Sequence, residues 1–144
     1  MIYTKLTKLA LKLAFDAHKN QVDKTGLPYV FHPFHLAEQM DDENSTCVAL
    51  LHDVVEDTDM TFEELEQYGF NQEILAALKL LTHDLRVPYM DYVKMIKDNA
   101  IARKVKLADL KHNSDLSRLD NIDESALERN QKYHAAILLL ENND

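Results

Sequence analysis

Residues 50–58, LLHDVVEDT, decide how the rest of the chain is interpreted. An apolar segment of helical spacing here carries an imidazole and three carboxylates close together, at His52, Asp53, Glu56 and Asp57. Side chains three or four positions apart share one face of a helix, so these groups span a limited arc. Carboxylates this close repel one another unless a cation compensates, and burial increases that penalty. The segment therefore predicts a metal site, although an isolated histidine–aspartate pair is more often the solvated end of a helix.

The sequence around this segment predicts an all-α fold. Apolar residues recur at helical spacing nearly everywhere, and the apolar–polar alternation of a half-buried strand is not sustained in any stretch. A chain of 144 residues has the length of one ordinary domain, enough to bury ~70% of its unfolded surface around one core. We therefore expect residues 1–144 to form a single-domain helical bundle.

Capping residues and prolines divide the chain into predicted helices. Pro33 and Pro88 suit first turns, where the missing N–H is harmless. Serine, threonine, asparagine and aspartate suit N-caps, and the candidates are Asn44 or Ser45, Thr61, Asn71, Asn99 and Asp123. We expect helices that end near residues 18, 41, 58, 69, 81, 97, 113 and 140.

Composition excludes several classes of protein. The formal net charge of −9 argues against nucleic acid or an anionic membrane as the main partner. The first twenty residues carry lysines throughout and lack the continuous apolar stretch of a signal peptide or membrane span. The single cysteine, Cys47, rules out an internal disulfide and fits a reducing compartment, so the cytoplasm is the expected location. The oligomeric state is left open.

Two further places supply candidate metal ligands. Asp109 lies among apolar residues of a predicted helix and is expected to be at least half buried, so it needs a charge partner; the neighbouring Lys106 is the alternative to a metal. His32 ends the loop before the second helix, where a lone histidine is more often a cap or a packed side chain. Taken with His52 and Asp53, they give two imidazoles and two carboxylates. This set suits Mn²⁺, with Fe²⁺, Ni²⁺ or Zn²⁺ also compatible with the ligand types.

Three motifs in order resemble one known family. They are AHKNQVDKTGLPYVFHP at 17–33, LLHDVVEDT at 50–58 and VKLADLKHN at 105–113. At these separations they resemble the HD-superfamily hydrolase domain of the RelA/SpoT-type alarmone enzymes, particularly the small stand-alone alarmone hydrolases. The family fold is an all-helical bundle, which agrees with the prediction from periodicity.

The resemblance implies an activity and a set of site residues. The activity is metal-dependent hydrolysis of the 3′-pyrophosphate of a guanosine nucleotide. By motif match, the implied Mn²⁺ ligands are His32, His52, Asp53 and Asp109, the catalytic acidic pair is Glu56 and Asp57, and the residues that meet the nucleotide are Lys24 and Asn113. Four further basic residues, Arg103, Lys104, Lys106 and Arg118, are candidates to neutralise phosphates, against the more frequent role of a solvated helix face. We select Lys106 among them as a substrate-binding candidate.

The chain departs from the family pattern on the side that faces the nucleotide. Asp23 stands where the alarmone hydrolases usually have an arginine that packs against guanine, and Leu110 stands where they have a second arginine. The residues that match the family's metal ligands and catalytic acidic pair are all present. The leading hypothesis is therefore a phosphohydrolase of a small phosphorylated nucleotide. The alternatives are a regulatory module that binds metal and nucleotide without turnover, and a purely structural bundle.

Overall fold

The helix at the centre of the fold is buried along most of its length. The computed structural model describes residues 1–142. Within it, α3 (Glu43–Leu51) is buried along residues 45–51, as expected of a helix in a core. It packs against α1 (Lys5–His18), α2 (Phe31–Glu38), α6 (Gln72–Leu81) and α8 (Ala100–Asn113). The functional segment that follows α3 therefore begins inside the core.

The remaining described elements surround this centre. They are α4 (Val54–Asp57), α5 (Phe62–Gln67), α7 (Tyr89–Ile96), α9 (Glu124–Glu141) and a short 3₁₀ helix at Leu116–Arg118. In residues 1–142 the β pairing amounts to one isolated bridge, between Val22 and Pro28. The all-α prediction is confirmed. No helix of this part of the chain has the length and apolarity to cross a membrane.

Most of the predicted caps are confirmed. Thr61, Asn71, Asn99 and Asp123 each accept a hydrogen bond from the backbone N–H three residues along. The prediction for α3 was wrong, because Asp42 caps it and accepts from the Ser45 N–H at 2.7 Å. Ser45 itself is buried within the helix.

The predicted continuous helix through residue 58 was also wrong. It breaks after Leu51, and Asp53 adopts φ −104° and ψ 0°, in the sparsely populated bridge region. The His52 side chain lies with Nδ1 2.7 Å from the Ala49 carbonyl oxygen, which in a continuous helix would accept the N–H of residue 53. The break lets two successive side chains face the same space.

One other helix boundary and one additional element differ from the prediction. Helix α2 ends at Glu38 rather than near residue 41, and the 3₁₀ helix between α8 and α9 was not predicted. The loop before α2 turns sharply at Gly26, whose φ of +84° favours glycine. This turn carries Lys24 toward the end of α8.

Candidate metal centre and adjoining cavity

The structure brings the four predicted metal ligands together. One ligand atom each from His32, His52 and Asp109 lies within 4.8 Å of the others. The fourth residue, Asp53, has Oδ2 2.9 Å from His52 Nε2. These residues come from α2, the α3–α4 break and α8, so the cluster forms only when distant parts of the chain pack together.

The chemistry of His52 fits a cation at this point. Its Nδ1 must donate to the Ala49 carbonyl, and this fixes the tautomer in which Nε2 carries the lone pair when the ring is neutral. That buried Nε2 lies 2.9 Å from Oδ2 of Asp53 and 3.5 Å from Oδ1 of Asp109, so two carboxylate oxygens face it. Burial lowers the pKa of His52, but the charges of Asp53 and Asp109 outweigh it and raise the pKa well above its ordinary value. The site therefore favours a positive charge, which a proton or a metal ion can supply.

Asp109 divides its carboxylate between two groups of partners. Oδ2 accepts from Lys106 Nζ at 2.9 Å, whereas Oδ1 lies 2.8 Å from His32 Nε2 and accepts from Asn113 Nδ2 at 3.1 Å. Burial would raise the pKa of Asp109, but Lys106 and the two imidazoles hold it well below its usual range. The carboxylate is therefore ionised, with one oxygen turned toward the histidines.

Two residues that the sequence did not assign complete the surroundings of the cluster. The Tyr29 hydroxyl donates to Oδ2 of Asp53, and His112 Nδ1 lies 2.7 Å from His32 Nδ1. Burial and the neighbouring His32 lower the pKa of His112 to about 4, so its ring is neutral and can accept the His32 Nδ1–H. Helical spacing was the available sign, because His112 lies three residues after Asp109.

The predicted catalytic acids lie at the open side of the cluster. Glu56 and Asp57 belong to α4 and are exposed. Partial desolvation and the charges of Asp53 and Asp57 raise the pKa of Glu56. The pKa of Asp57 is raised by desolvation and by Asp53. Carboxylates with raised pKa values beside a site that attracts cations are suited to take up a proton.

A cavity of about 430 Å³ adjoins the cluster. Lys24, Tyr29, Asn113, Arg118, Arg129 and Tyr133 are among its lining residues. Tyr29 and Asn113 also bond the cluster carboxylates, so the cavity and the cluster share a wall. Lys24 and Asn113, two of the predicted substrate-binding residues, thus lie on the wall of one cavity beside the cluster.

Lys106, the third predicted substrate-binding residue, does not line this cavity. Its Nζ binds Asp109 and lies 5.5 Å from the centre of the Tyr92 ring. Burial would lower its pKa, but Asp109 and the neighbouring tyrosines raise it. The lysine that the sequence offered as the alternative partner of Asp109 is thus a real partner, and its role toward substrate stays a prediction.

The two departures from the family pattern have different surroundings. Leu110 is fully buried in the core. The Asp23 carboxylate is occupied, because it accepts from the N–H groups of Thr25 at 2.8 Å and Leu27 at 3.1 Å and pairs with Arg118 at 3.3 Å. The residue therefore does not present a free negative charge to the cavity.

Comparison with known proteins defines the class. A family model described as HD domain matches residues 10–134. This is more than half of the 144 residues, and the chain belongs to the HD domain family.

Individual relatives are similar over most of the chain. The guanosine-3′,5′-bis(diphosphate) 3′-pyrophosphohydrolase MESH1 of Xenopus tropicalis is 37% identical over 123 residues, covering 76% of this chain and 68% of that protein. A guanosine-3′,5′-bis(diphosphate) 3′-pyrophosphohydrolase of Aquifex aeolicus is 34% identical over 122 residues, covering 78% of this chain. The match spans only 17% of the Aquifex protein.

A solved structure has the same fold. It is a metazoan ortholog of SpoT, described as hydrolyzing ppGpp and playing a role in starvation responses. The TM-score is 0.77 at 24% identity, and the likeness covers 100% of this chain and 90% of that one. It therefore supports the helical architecture over the whole length of the chain.

Proposed function

We propose that this protein is a metal-dependent phosphohydrolase of a small phosphorylated nucleotide, and specifically a guanosine-3′,5′-bis(diphosphate) 3′-pyrophosphohydrolase. The observation that carries the proposal is the position of Glu56 and Asp57, exposed beside the buried cluster of histidines and aspartates. The names of the Xenopus and Aquifex relatives support the choice of substrate. We propose the cytoplasm as its location, in keeping with the single, buried and free Cys47.

In this proposal His32, His52, Asp53 and Asp109 hold one divalent cation. Two nitrogen and two carboxylate donors suit Mn²⁺ among the common divalent ions. The Nε2 atom of His52, which faces two carboxylate oxygens, supports a cation at this point. When bound, such an ion lowers the pKa of water and polarises a phosphoryl oxygen.

Glu56 acts as the general base. It takes a proton from the attacking water as the water oxygen bonds to the proximal phosphorus of the 3′-pyrophosphate. The bond between that phosphorus and the 3′ oxygen breaks, which releases pyrophosphate and leaves a 3′-hydroxyl after the proton is returned. The raised pKa of Glu56 makes it a stronger base than an ordinary glutamate. Asp57 sustains this shift through its own charge.

Lys24 and Asn113 orient the nucleotide. Both line the cavity that shares a wall with the cluster. Lys24 offers a point charge to a phosphate, and the Asn113 amide, which already donates to Asp109, ties the nucleotide to the catalytic side.

A regulatory module that binds without turnover is the second candidate. It is favoured by the occupied Asp23 carboxylate and the buried Leu110, since neither side chain contributes a cation to the cavity. Tight binding of guanosine 3′,5′-bis(diphosphate) with zero hydrolysis would establish it.

The test is pyrophosphate release from guanosine 3′,5′-bis(diphosphate) by the full chain with Mn²⁺. We expect turnover by the wild-type protein, its loss in Glu56→Gln, and wild-type rates in Glu63→Gln, which changes an exposed glutamate of α5. If Glu56→Gln still bound Mn²⁺, the loss of turnover would be due to the missing base and not to a lost metal ligand. The proposal would be rejected if the protein released neither phosphate nor pyrophosphate from this substrate and from guanosine and adenosine 3′- and 5′-phosphates.

A further inference from the structure

One arginine on the cavity wall is held by two hydrogen bonds, one to a nearby carbonyl and one to a distant carboxylate. Arg118 belongs to the 3₁₀ helix between α8 and α9. Its Nη1 donates to the His112 carbonyl at 2.9 Å, and its Nη2 donates to Asp23 Oδ2 at 3.3 Å across 95 residues of sequence. The guanidinium lines the cavity, and 23% of the side chain is exposed. It is therefore held in place while one part of its surface remains accessible.

The charges of this pair are already satisfied. Oδ1 of Asp23 accepts from the N–H groups of Thr25 and Leu27 and from the Thr25 hydroxyl, while Oδ2 binds Arg118. Asp23 is thus unavailable to accept from a base edge. Arg118 has its positive charge matched and is a poor candidate for a second anion.

Two further cations, Lys24 and Arg129, lie on the cavity wall. The Arg129 guanidinium donates to the uncharged Ser125 hydroxyl at 2.9 Å. Burial and the charges of Arg129 and Lys132 lower the pKa of Lys24, against the opposing charge of Asp123. Two cations that repel each other on one wall favour an anion between them. A phosphorylated ligand would therefore place its phosphates near Lys24 and Arg129, and the remainder near Arg118.

We propose that Arg118 binds the purine base of the nucleotide by stacking, with Asp23 as its positioning residue. This deepens the proposed function and rests on a nucleotide as the ligand. Hydrogen bonds from the two Nη atoms lie in the plane of the guanidinium, so they leave its faces free for an aromatic ring. A delocalised, weakly hydrated and immobilised cation is a good platform for a base. Because stacking is tolerant of the base, guanine and adenine gain equally.

The experiment compares guanosine 5′-monophosphate with ribose 5-phosphate, which has the same sugar and phosphate but no base. Binding to the full chain in Mn²⁺ is measured by titration calorimetry. Arg118→Met and Arg118→Lys are each expected to weaken guanosine and adenosine monophosphate binding about tenfold and to leave ribose 5-phosphate binding unchanged. Asp23→Asn is expected to produce a smaller loss in the same direction. Arg86→Met, at an exposed arginine outside the cavity, is the matched control.

Three results would overturn the proposal. The first is equal binding of guanosine 5′-monophosphate and ribose 5-phosphate by the wild-type protein. The second is wild-type nucleotide binding by Arg118→Lys, and the third is a parallel loss of ribose 5-phosphate binding in the Arg118 variants. Each result would mean that Arg118 acts through its charge or supports the structure, and does not stack on the base. Ribose 5-phosphate binding also reports that each variant is folded. Neither ligand contains a pyrophosphate, so the outcome is independent of whether the protein hydrolyses one.

Discussion

The Nζ atom of Lys106 lies 2.9 Å from Oδ2 of Asp109, one turn further along the same helix. This contact occupies one oxygen of the carboxylate and leaves the other beside His32. The lysine thus compensates the buried charge through Oδ2, while His32 approaches Oδ1. Asp109 can be ionised in the core whether or not a cation is bound.

Removing Lys106 is expected to destabilise the protein strongly. Lys106→Met would leave the buried Asp109 short of its cationic partner, which costs about 3 kcal/mol for a buried pair. Urea denaturation in the presence of a chelator measures the free energy of unfolding without metal compensation. The control is Lys104→Met, whose exposed ion pair with Asp41 contributes little to stability because solvent screens it. Equal losses for the two variants would contradict the role given to Lys106.

Removing His52 is expected to abolish metal binding while leaving the helices in place. His52→Ala deletes a proposed ligand whose Nε2 faces the Asp53 and Asp109 carboxylates, so bound Mn²⁺ should fall to background in equilibrium dialysis. A chelator should lower the melting temperature of the wild-type protein but not that of the variant, because a ligand that binds only the native state stabilises it. His134→Ala, at an exposed histidine of α9, should behave as wild type. Undiminished Mn²⁺ binding by His52→Ala would show that the metal binds at another site.

Replacing Lys24 is expected to weaken substrate binding rather than chemistry. Lys24→Gln removes a point charge from the cavity wall and touches none of the cluster residues, so KM should rise roughly tenfold with little change in kcat. Lys19→Gln, at the exposed C-terminal cap of α1, is the matched control. A large fall in kcat with unchanged KM would instead place Lys24 at the reacting phosphorus.

Stability should depend on pH through Asp23. Burial would raise its pKa, but hydrogen bonds from Thr25 and Leu27 and the charge of Arg118 lower it below the ordinary value. A depressed pKa contributes stability that is present above the unfolded-state pKa and is lost as the pH falls through the folded-state pKa. The advantage of the wild-type protein over Asp23→Asn should therefore be constant above about pH 5 and shrink below about pH 4.

Denaturant unfolding at a series of pH values measures this difference. Asp120→Asn changes an exposed aspartate and serves as the control for the altered net charge. If the difference between the wild-type protein and Asp23→Asn grew toward low pH, Asp23 would not be an ionised partner of Arg118.

Local patterns predicted much of the fold because helix periodicity and capping act over a few residues. The caps at Asn71, Asn99 and Asp123 are found as predicted. The break at His52 was missed, because it depends on a side chain taking a backbone carbonyl, which no periodicity reports. The 3₁₀ helix carrying Arg118 was missed because it is short and irregular.

The candidate site, too, was predicted only in part from the sequence. His32, His52, Asp53 and Asp109 were found through their chemistry and motif spacing, and the structure brings them together. The partner of Asp23 could not be found, because Arg118 lies 95 residues away in the sequence and only the tertiary fold brings it near. The negative charge expected at position 23 was real, but its effect on the cavity is cancelled by that arginine.

The distribution of the cluster over α2, the α3–α4 break and α8 also fixes an order of assembly. During synthesis the chain contains both histidines and Asp53 long before Asp109 exists, so an early fragment has an incomplete set of ligands. Helix α8 must then pack against α2 and α3 before the carboxylate reaches them. A cation that needs all four residues would therefore enter only after α8 has packed.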